Sequence, residues 1–326
     1  MAIVLLIIIT CYSILTYNRN FIWKDELSLW NDVVRKSPKK ARPYYNRGFA
    51  YQAKGNLNQA ISDYNKAIKI NPNFDQAYNN RGLAYQTQGN LNQAMFDYNK
   101  AIEIDPDYAL AYNNRGLAYQ AQGNLNQAIS DYNKSIQLEP QLAKAYNNRG
   151  NIYANKRNFS QAISDFNKAI EIDPRFAEAY SNRGLAYQTQ GNLNQAISDY
   201  NKAIEINPFL AKLYYNRGLA YQAQGNFDEA ILDYNKAIGI NPEDAEVYYN
   251  RGLVYQKISN LNQAISDYSK AIEISPNFAE AYNNRAVAYF YKKEYDRSWE
   301  DVHKAETLGW KFNPGFLQDL KKASGR

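Results

Sequence analysis

The chain has 326 residues, 45% hydrophobic and 21% charged, with 30 tyrosines, one cysteine and one histidine. That aromatic content excludes a disordered chain, one cysteine excludes an internal disulfide, and Cys11 with His303 makes no zinc-type cluster. The formal charge of +6 sits at the ends: residues 43–310 hold 27 Lys/Arg against 28 Asp/Glu, too balanced for the basic face that nucleic-acid binding needs.

From Ala2 to Leu15 the chain is a run of mostly Ile, Leu and Val without a charge. As a helix, residues 1–17 would measure about 25 Å, a little under the ~30 Å hydrocarbon core. Tyr17, Phe21 and Trp23 suit the interface, with Arg19 and Lys24 beside headgroups. The expectation is a single-pass membrane anchor, a transmembrane or signal-anchor helix over 1–20, touching the bilayer through residues 1–17. Basic residues after it favour a cytoplasmic array by the positive-inside rule, which is soft for one short span. A cleaved signal peptide fits less well, with no basic residue before Ile3 and no small-residue cleavage site after Leu15.

Residues 21–40 come next as a juxtamembrane cap. Leu27, Trp30, Val33 and Val34 repeat, one period early, the stripe Ile61, Tyr64, Ala67, Ile68. A lone helix is expected here, packed on the helices that begin near residue 41.

Beyond it the chain keeps a clock. Arginines fall at Arg47, Arg81, Arg115, Arg149, Arg183, Arg217, Arg251 and Arg285, always 34 apart, and prolines at Pro72, Pro106, Pro140, Pro174, Pro208, Pro242 and Pro276 keep the same period. In residues 75–108, Tyr78, Arg81/Gly82 and Tyr85 mark one face of a helix. Gly89 suits the left-handed residue after it and Asn90 an N-cap. Leu91, Ala94, Met95, Tyr98, Ala101 and Ile102 form a second stripe, which Asp105-Pro106 stops. Each period therefore reads as a helical hairpin, and stacked neighbours bury what one hairpin cannot. Twenty-two of the 30 tyrosines occupy three of these framework columns, which reads as core.

The pattern Tyr78-x2-Arg81-Gly82-x2-Tyr85…Ala94-x3-Tyr98…Pro106 resembles the tetratricopeptide repeat. The resemblance covers 41–312 as eight 34-residue repeats: 41–74, 75–108, 109–142, 143–176, 177–210, 211–244, 245–278 and 279–312. It implies an all-α, right-handed superhelical solenoid whose first helices line a concave groove. The fourth repeat lacks its turn glycine at Arg157. The eighth has Ala286 for Gly, Ser298 for Ala and Val302 for Tyr. Residues 313–326, with Pro314 opening a helix and Phe316, Leu317 and Leu320 on one side, read as a C-terminal capping helix and tail.

Two polar columns stand out. Where the family carries leucine, every repeat has the arginine just named, and sixteen residues later an aspartate: Asp63, Asp97, Asp131, Asp165, Asp199, Asp233, Asp267 and Asp301. Burying a guanidinium unpaired is costly, so structural Arg–Asp ion pairs are expected. Before each arginine stands an asparagine: Asn46, Asn80, Asn114, Asn148, Asn182, Asn216, Asn250 and Asn284. The residue before that is often Asn or Tyr, as at Tyr45, Asn79, Asn113, Asn147, Tyr215, Tyr249 and Asn283. Asn is a poor helix-interior residue, so the columns ask for a reason. Two fit: bonds between neighbouring helices, or a ladder of amides gripping an extended peptide backbone. The ladder resembles that of the O-GlcNAc transferase repeat domain, and the groove lacks the Lys and Arg of a carboxylate clamp.

The functional expectation is a membrane-tethered scaffold binding a protein or peptide, with no enzyme activity, cofactor, metal or nucleic acid. A second reading starts from the junction Tyr17-Asn18-Arg19-Asn20-Phe21-Ile22-Trp23-Lys24, continuing through Trp30 to Pro38. It resembles the C-terminal region of multi-span mannosyltransferase-like membrane proteins. On that resemblance the chain would be the repeat portion of a membrane glycosyltransferase.

Overall fold

The computed structural model describes residues 25–326, which form eighteen α-helices and no strand. In chain order the helices are α1 Glu26–Lys36, α2 Ala41–Ala53, α3 Leu57–Ile70, α4 Asp75–Thr87, α5 Leu91–Ile104, α6 Ala109–Ala121, α7 Leu125–Leu138, α8 Ala143–Asn155 and α9 Phe159–Ile172. They continue as α10 Ala177–Thr189, α11 Leu193–Ile206, α12 Ala211–Gln224, α13 Phe227–Ile240, α14 Ala245–Lys257, α15 Leu261–Ile274, α16 Ala279–Tyr291, α17 Tyr295–Thr307 and α18 Pro314–Ser324. Their contacts divide the chain into two compact units, with the division after Ile152.

Local chemistry explains each boundary. After α4, the N–H of Asn90 bonds the carbonyl of Tyr85 and that of Gly89 the carbonyl of Gln86, both at 2.9 Å. This turn needs a left-handed residue, and Gly89 supplies it at φ +82°. Arg157, Ser259 and Lys293 take φ of +60°, +61° and +64° where glycine is missing. The hairpin therefore imposes the turn even on side chains that resist it by about 1–2 kcal/mol. Asn90 does not cap through its side chain. Its φ of −83° and ψ of 65° lie away from the extended cap geometry that aims such an oxygen at the first turn. At the far end of α5, Asp105 is extended at φ −127° and ψ 96°, as the residue before proline must be.

Close approach within a hairpin rests on one pair. Tyr98 is fully buried, and a Cβ on Gly82 would lie 2.8 Å from its Cε1. Gly48, Gly116, Gly184, Gly218 and Gly252 face Tyr64, Tyr132, Tyr200, Tyr234 and Tyr268 in the same way. In the eighth repeat both partners change together: Ala286 packs against Val302. The methyl group there is tolerated because the ring is gone.

Two further helices extend the stack. Asp25 caps α1, accepting from the Ser28 N–H at 2.8 Å while Ser28 Oγ accepts from the Asp25 N–H at 3.1 Å. Val34 of α1 packs in the cluster of Tyr44, Ala67 and Ala77. At the other end Leu320 of α18 is fully buried against Ala286 and Val302.

The expected membrane anchor requires correction. No helix among the described residues is long and apolar enough to cross a membrane. The longest have 14 residues, about 21 Å at 1.5 Å each, against the roughly 20 residues a span needs. Residues 1–20, where the transmembrane helix was expected, lie outside the described residues, and a single-pass membrane localisation is not upheld.

Candidate functional site

Each first helix sets its arginine between two second helices. Arg115 donates from Nε and Nη2 to the two carboxylate oxygens of Asp131, each at 2.8 Å, and from Nη1 to Asn99 of the preceding repeat, also at 2.8 Å. The bidentate fork recurs at Arg47–Asp63, Arg81–Asp97, Arg183–Asp199, Arg217–Asp233, Arg251–Asp267 and Arg285–Asp301. The third arm reaches back in the same way to Asn31, Asn65, Asn133, Asn167, Asn201, Asn235 and Ser269. The donor in the fourth repeat is Arg149, and its aspartate, Asp165, is buried. The guanidinium is thus a staple between repeats as well as a partner for the carboxylate. This third contact was missed from sequence, although an Asn column sixteen residues before the arginines signals it.

Charge in this setting is held and not poised. The bond to Asp131 raises the Arg115 pKa. Burial pushes the Asp97 carboxyl up, and the Arg81 bond pulls it back in part. Tyr112 and Tyr119 lie with ring centroids 5.4 and 6.0 Å from the Arg115 guanidinium carbon. These two tyrosine columns are largely half-buried supports for the cation, whereas Tyr64, Tyr98, Tyr132, Tyr200, Tyr234 and Tyr268 form the closed core.

The asparagine columns bond to each other. Asn80 Nδ2 donates to Tyr45 Oη at 2.9 Å and accepts at Oδ1 from Asn79 at 3.1 Å. Asn114 donates to Asn79 at 2.9 Å and accepts from Asn113 at 3.2 Å, and Asn148 donates to Asn113 at 3.0 Å. The result is a relay in which, at these boundaries, one repeat's amide holds the repeat before it. It recurs where Asn250 donates to Tyr215 at 3.1 Å and Asn284 to Tyr249 at 2.8 Å. Asn283 closes the series, donating to Asn284 and accepting from Trp310, each at 3.0 Å.

The two columns differ in exposure. Asn79, Asn113 and Asn147 are 3%, 2% and 1% exposed, so they serve the packing and offer no surface. Asn46, Asn80, Asn114, Asn148, Asn182, Asn250 and Asn284 are half-buried and reach the surface beside the relay, while Asn216 is buried. In Asn80 and Asn114 the relay uses one N–H and one lone pair, leaving a second N–H for another acceptor. One turn along the same face stand apolar side chains. Phe49 is 52% exposed beside Asn46, and Leu185 is 49% exposed beside Asn182.

Helical hairpins joined in this register define an α-solenoid of the tetratricopeptide type. A TPR repeat model matches residues 53–89, 87–123 and 218–259. Two tetratricopeptide-repeat models match 109–142, 143–176, 177–210 and 245–278, and 199–231 and 268–300. Together they run without a gap from 53 to 300, and the chain belongs to the tetratricopeptide-repeat family.

Three solved structures share its fold. The APC/C hetero-tetramer Cut9–Hcn1 has a TM-score of 0.60 at 17% identity, over 95% of this chain and 59% of that one. PilF of Pseudomonas aeruginosa gives 0.57 at 20%, over 62% and 92%. A tetratricopeptide repeat protein from Parabacteroides merdae gives 0.54 at 23%, over 77% and 99%. No match is found among curated proteins. The mannosyltransferase-like resemblance of the N-terminal junction gains no support from these comparisons, and its first residues lie outside the described ones.

Proposed function

We propose that this protein is an interaction scaffold that binds an extended segment of a partner protein along its first helices, with no chemistry of its own. Repeats of this family generally bind proteins or peptides. The observation that carries the reading is the pairing of an exposed apolar side chain with an amide one turn away, as in Asn46 with Phe49 and Asn182 with Leu185. Solvent-facing Phe and Leu beside an amide, on a helix already packed on its other side, are available to a contact outside the chain. The neighbouring amides can bond a peptide backbone without regard to its side chains. Association of this kind draws on apolar burial for affinity and on the amides for register.

The test is a peptide-array screen of the full chain, repeated with Phe49→Ser and, separately, with Leu185→Ser. Both residues are exposed, so folding is expected to be unchanged. Peptides that use the altered side chain should bind about tenfold more weakly, since one apolar anchor of this size is worth about 1.5 kcal/mol. Unchanged binding of every selected peptide would reject the face, and a wild-type chain that selects no peptide would reject the scaffold reading.

A further inference from the structure

The relay is interrupted between the fifth and sixth repeats. Elsewhere the donor amides find Tyr45, Asn79, Asn113, Tyr215 or Tyr249 across the boundary. Here the corresponding residue is Ser181, whose side chain has a single heavy atom beyond Cβ. Asn216, which should donate to it, is 7% exposed and has no hydrogen-bond partner among the described residues. Its amide reaches the cavity beside it, and covering that amide with a group that offers no partner would be costly.

The same boundary holds a cavity. In the first and seventh repeats a tyrosine ring occupies this space: Tyr45 lies 4.9 Å from Phe74 and Tyr249 4.8 Å from Phe278, centroid to centroid. Their hydroxyls accept from Asn80 at 2.9 Å and Asn284 at 2.8 Å. Leu210 stands where Phe74 and Phe278 stand, and without a ring against it is 45% exposed. Leu213 replaces the Ala77 and Ala281 of the repeats that follow those two and fills part of the gap. About 440 Å³ remains, bordered by Ser181, Leu185, Leu210, Leu213 and Asn216. That is the size of a small ligand pocket, with an apolar side of Ala177 and the three leucines and a polar rim that also includes Glu178, Asn182, Asn207 and Lys212.

We propose that this cavity receives a tyrosine side chain from a partner protein. The phenol ring lies against Leu210 and Leu213, and its oxygen accepts from Asn216 Nδ2. The partner thereby supplies the group that the chain supplies for itself at Tyr45, Tyr215 and Tyr249. Phenylalanine fits the apolar part but leaves the Asn216 amide unsatisfied, so the site discriminates between the two by the hydroxyl. This assignment rests on the partner-binding reading and names one anchor within it.

The probes are N-acetyl-tyrosinamide, N-acetyl-phenylalaninamide and N-acetyl-glycinamide, titrated into the full chain and followed at the Asn216 side-chain amide by nitrogen-15 NMR. The tyrosine probe should shift that signal saturably with a dissociation constant of about millimolar order. The phenylalanine probe should bind roughly two- to tenfold more weakly, and the glycine probe should leave the signal unmoved. Ser181→Asn restores the acceptor found in other repeats, so the tyrosine preference should fall to near one. Its folding is checked by the unchanged amide spectrum elsewhere. An unmoved Asn216 signal with tyrosine, equal affinity for the two aromatic probes, or a preference that survives in Ser181→Asn each overturns the proposal. A chain that selects array peptides yet ignores these probes loses this pocket alone, and one that takes the probes yet selects no peptide loses the scaffold reading alone.

Discussion

Replacing Gly116 by alanine places a methyl group 2.6 Å from Cε1 and 2.9 Å from Cδ1 of Tyr132, where carbon atoms need about 3.5 Å or more. Tyr132 is fully buried, and its hydroxyl donates to Gln120 at 3.0 Å, so the ring cannot swing aside without losing that bond. Overpacking of this kind costs about 2 kcal/mol. Tyr132→Val alone removes the ring and leaves a void, at about 3 kcal/mol. Combined, the substitutions recreate the Ala286–Val302 contact of the eighth repeat, in which the methyl occupies space the ring has left. The double variant should therefore be more stable than the sum of the single effects by about 1–2 kcal/mol. Urea denaturation of the four proteins measures the cycle. Amide hydrogen exchange over residues 109–142 localises it, because repeat arrays open piecewise. Single effects that add to within about 0.5 kcal/mol would mean that glycine and ring do not compete for space, and the packing account would fail.

Three other perturbations probe separate contacts. Arg115→Met should lower stability by about 3 kcal/mol in urea denaturation, because Asp131 is left buried without its cation, and adding Asp131→Leu should recover most of the loss; a double variant no better than the single would count against the pair. Asn114→Ala removes a donor to Asn79 and an acceptor for Asn113 and should cost about 1–3 kcal/mol, with faster amide exchange in α4 and α6; unchanged exchange would show the relay to be idle. The bond from Lys54, then the N–H of Ser28, lowers the Asp25 pKa from 3.8 to about 2. Because the folded value lies below the unfolded one, the contact contributes fully above about pH 4 and is lost as pH falls toward 2. Carbon-13 NMR titration of Asp25 should show that lowered midpoint, rising in Lys54→Ala; a midpoint near 3.8 in both proteins would refute it.

How much of this could be read from the chain depends on how far each contact reaches. The hairpins were legible because burial repeats with the helix period and Gly89 and Asp105-Pro106 punctuate it. The Arg115–Asp131 contact was suggested by two columns sixteen residues apart and by the cost of burying a guanidinium alone. The arm from Arg115 to Asn99 and the donation from Asn114 to Asn79 were harder to see. Each joins residues in different repeats, so its geometry depends on how one hairpin lies on the next, which the period does not specify. Repetition hides individual roles in such a chain, since every copy predicts the same contacts. The departures are therefore the informative positions. Ala286 with Val302 shows that the glycine column exists to make room for a ring. Ser181 among Asn and Tyr looks like drift until the unpartnered amide of Asn216 is seen beside an unfilled space. A column that is merely structural would carry its own side chain at every boundary, so the boundary that lacks one is where a partner can supply it.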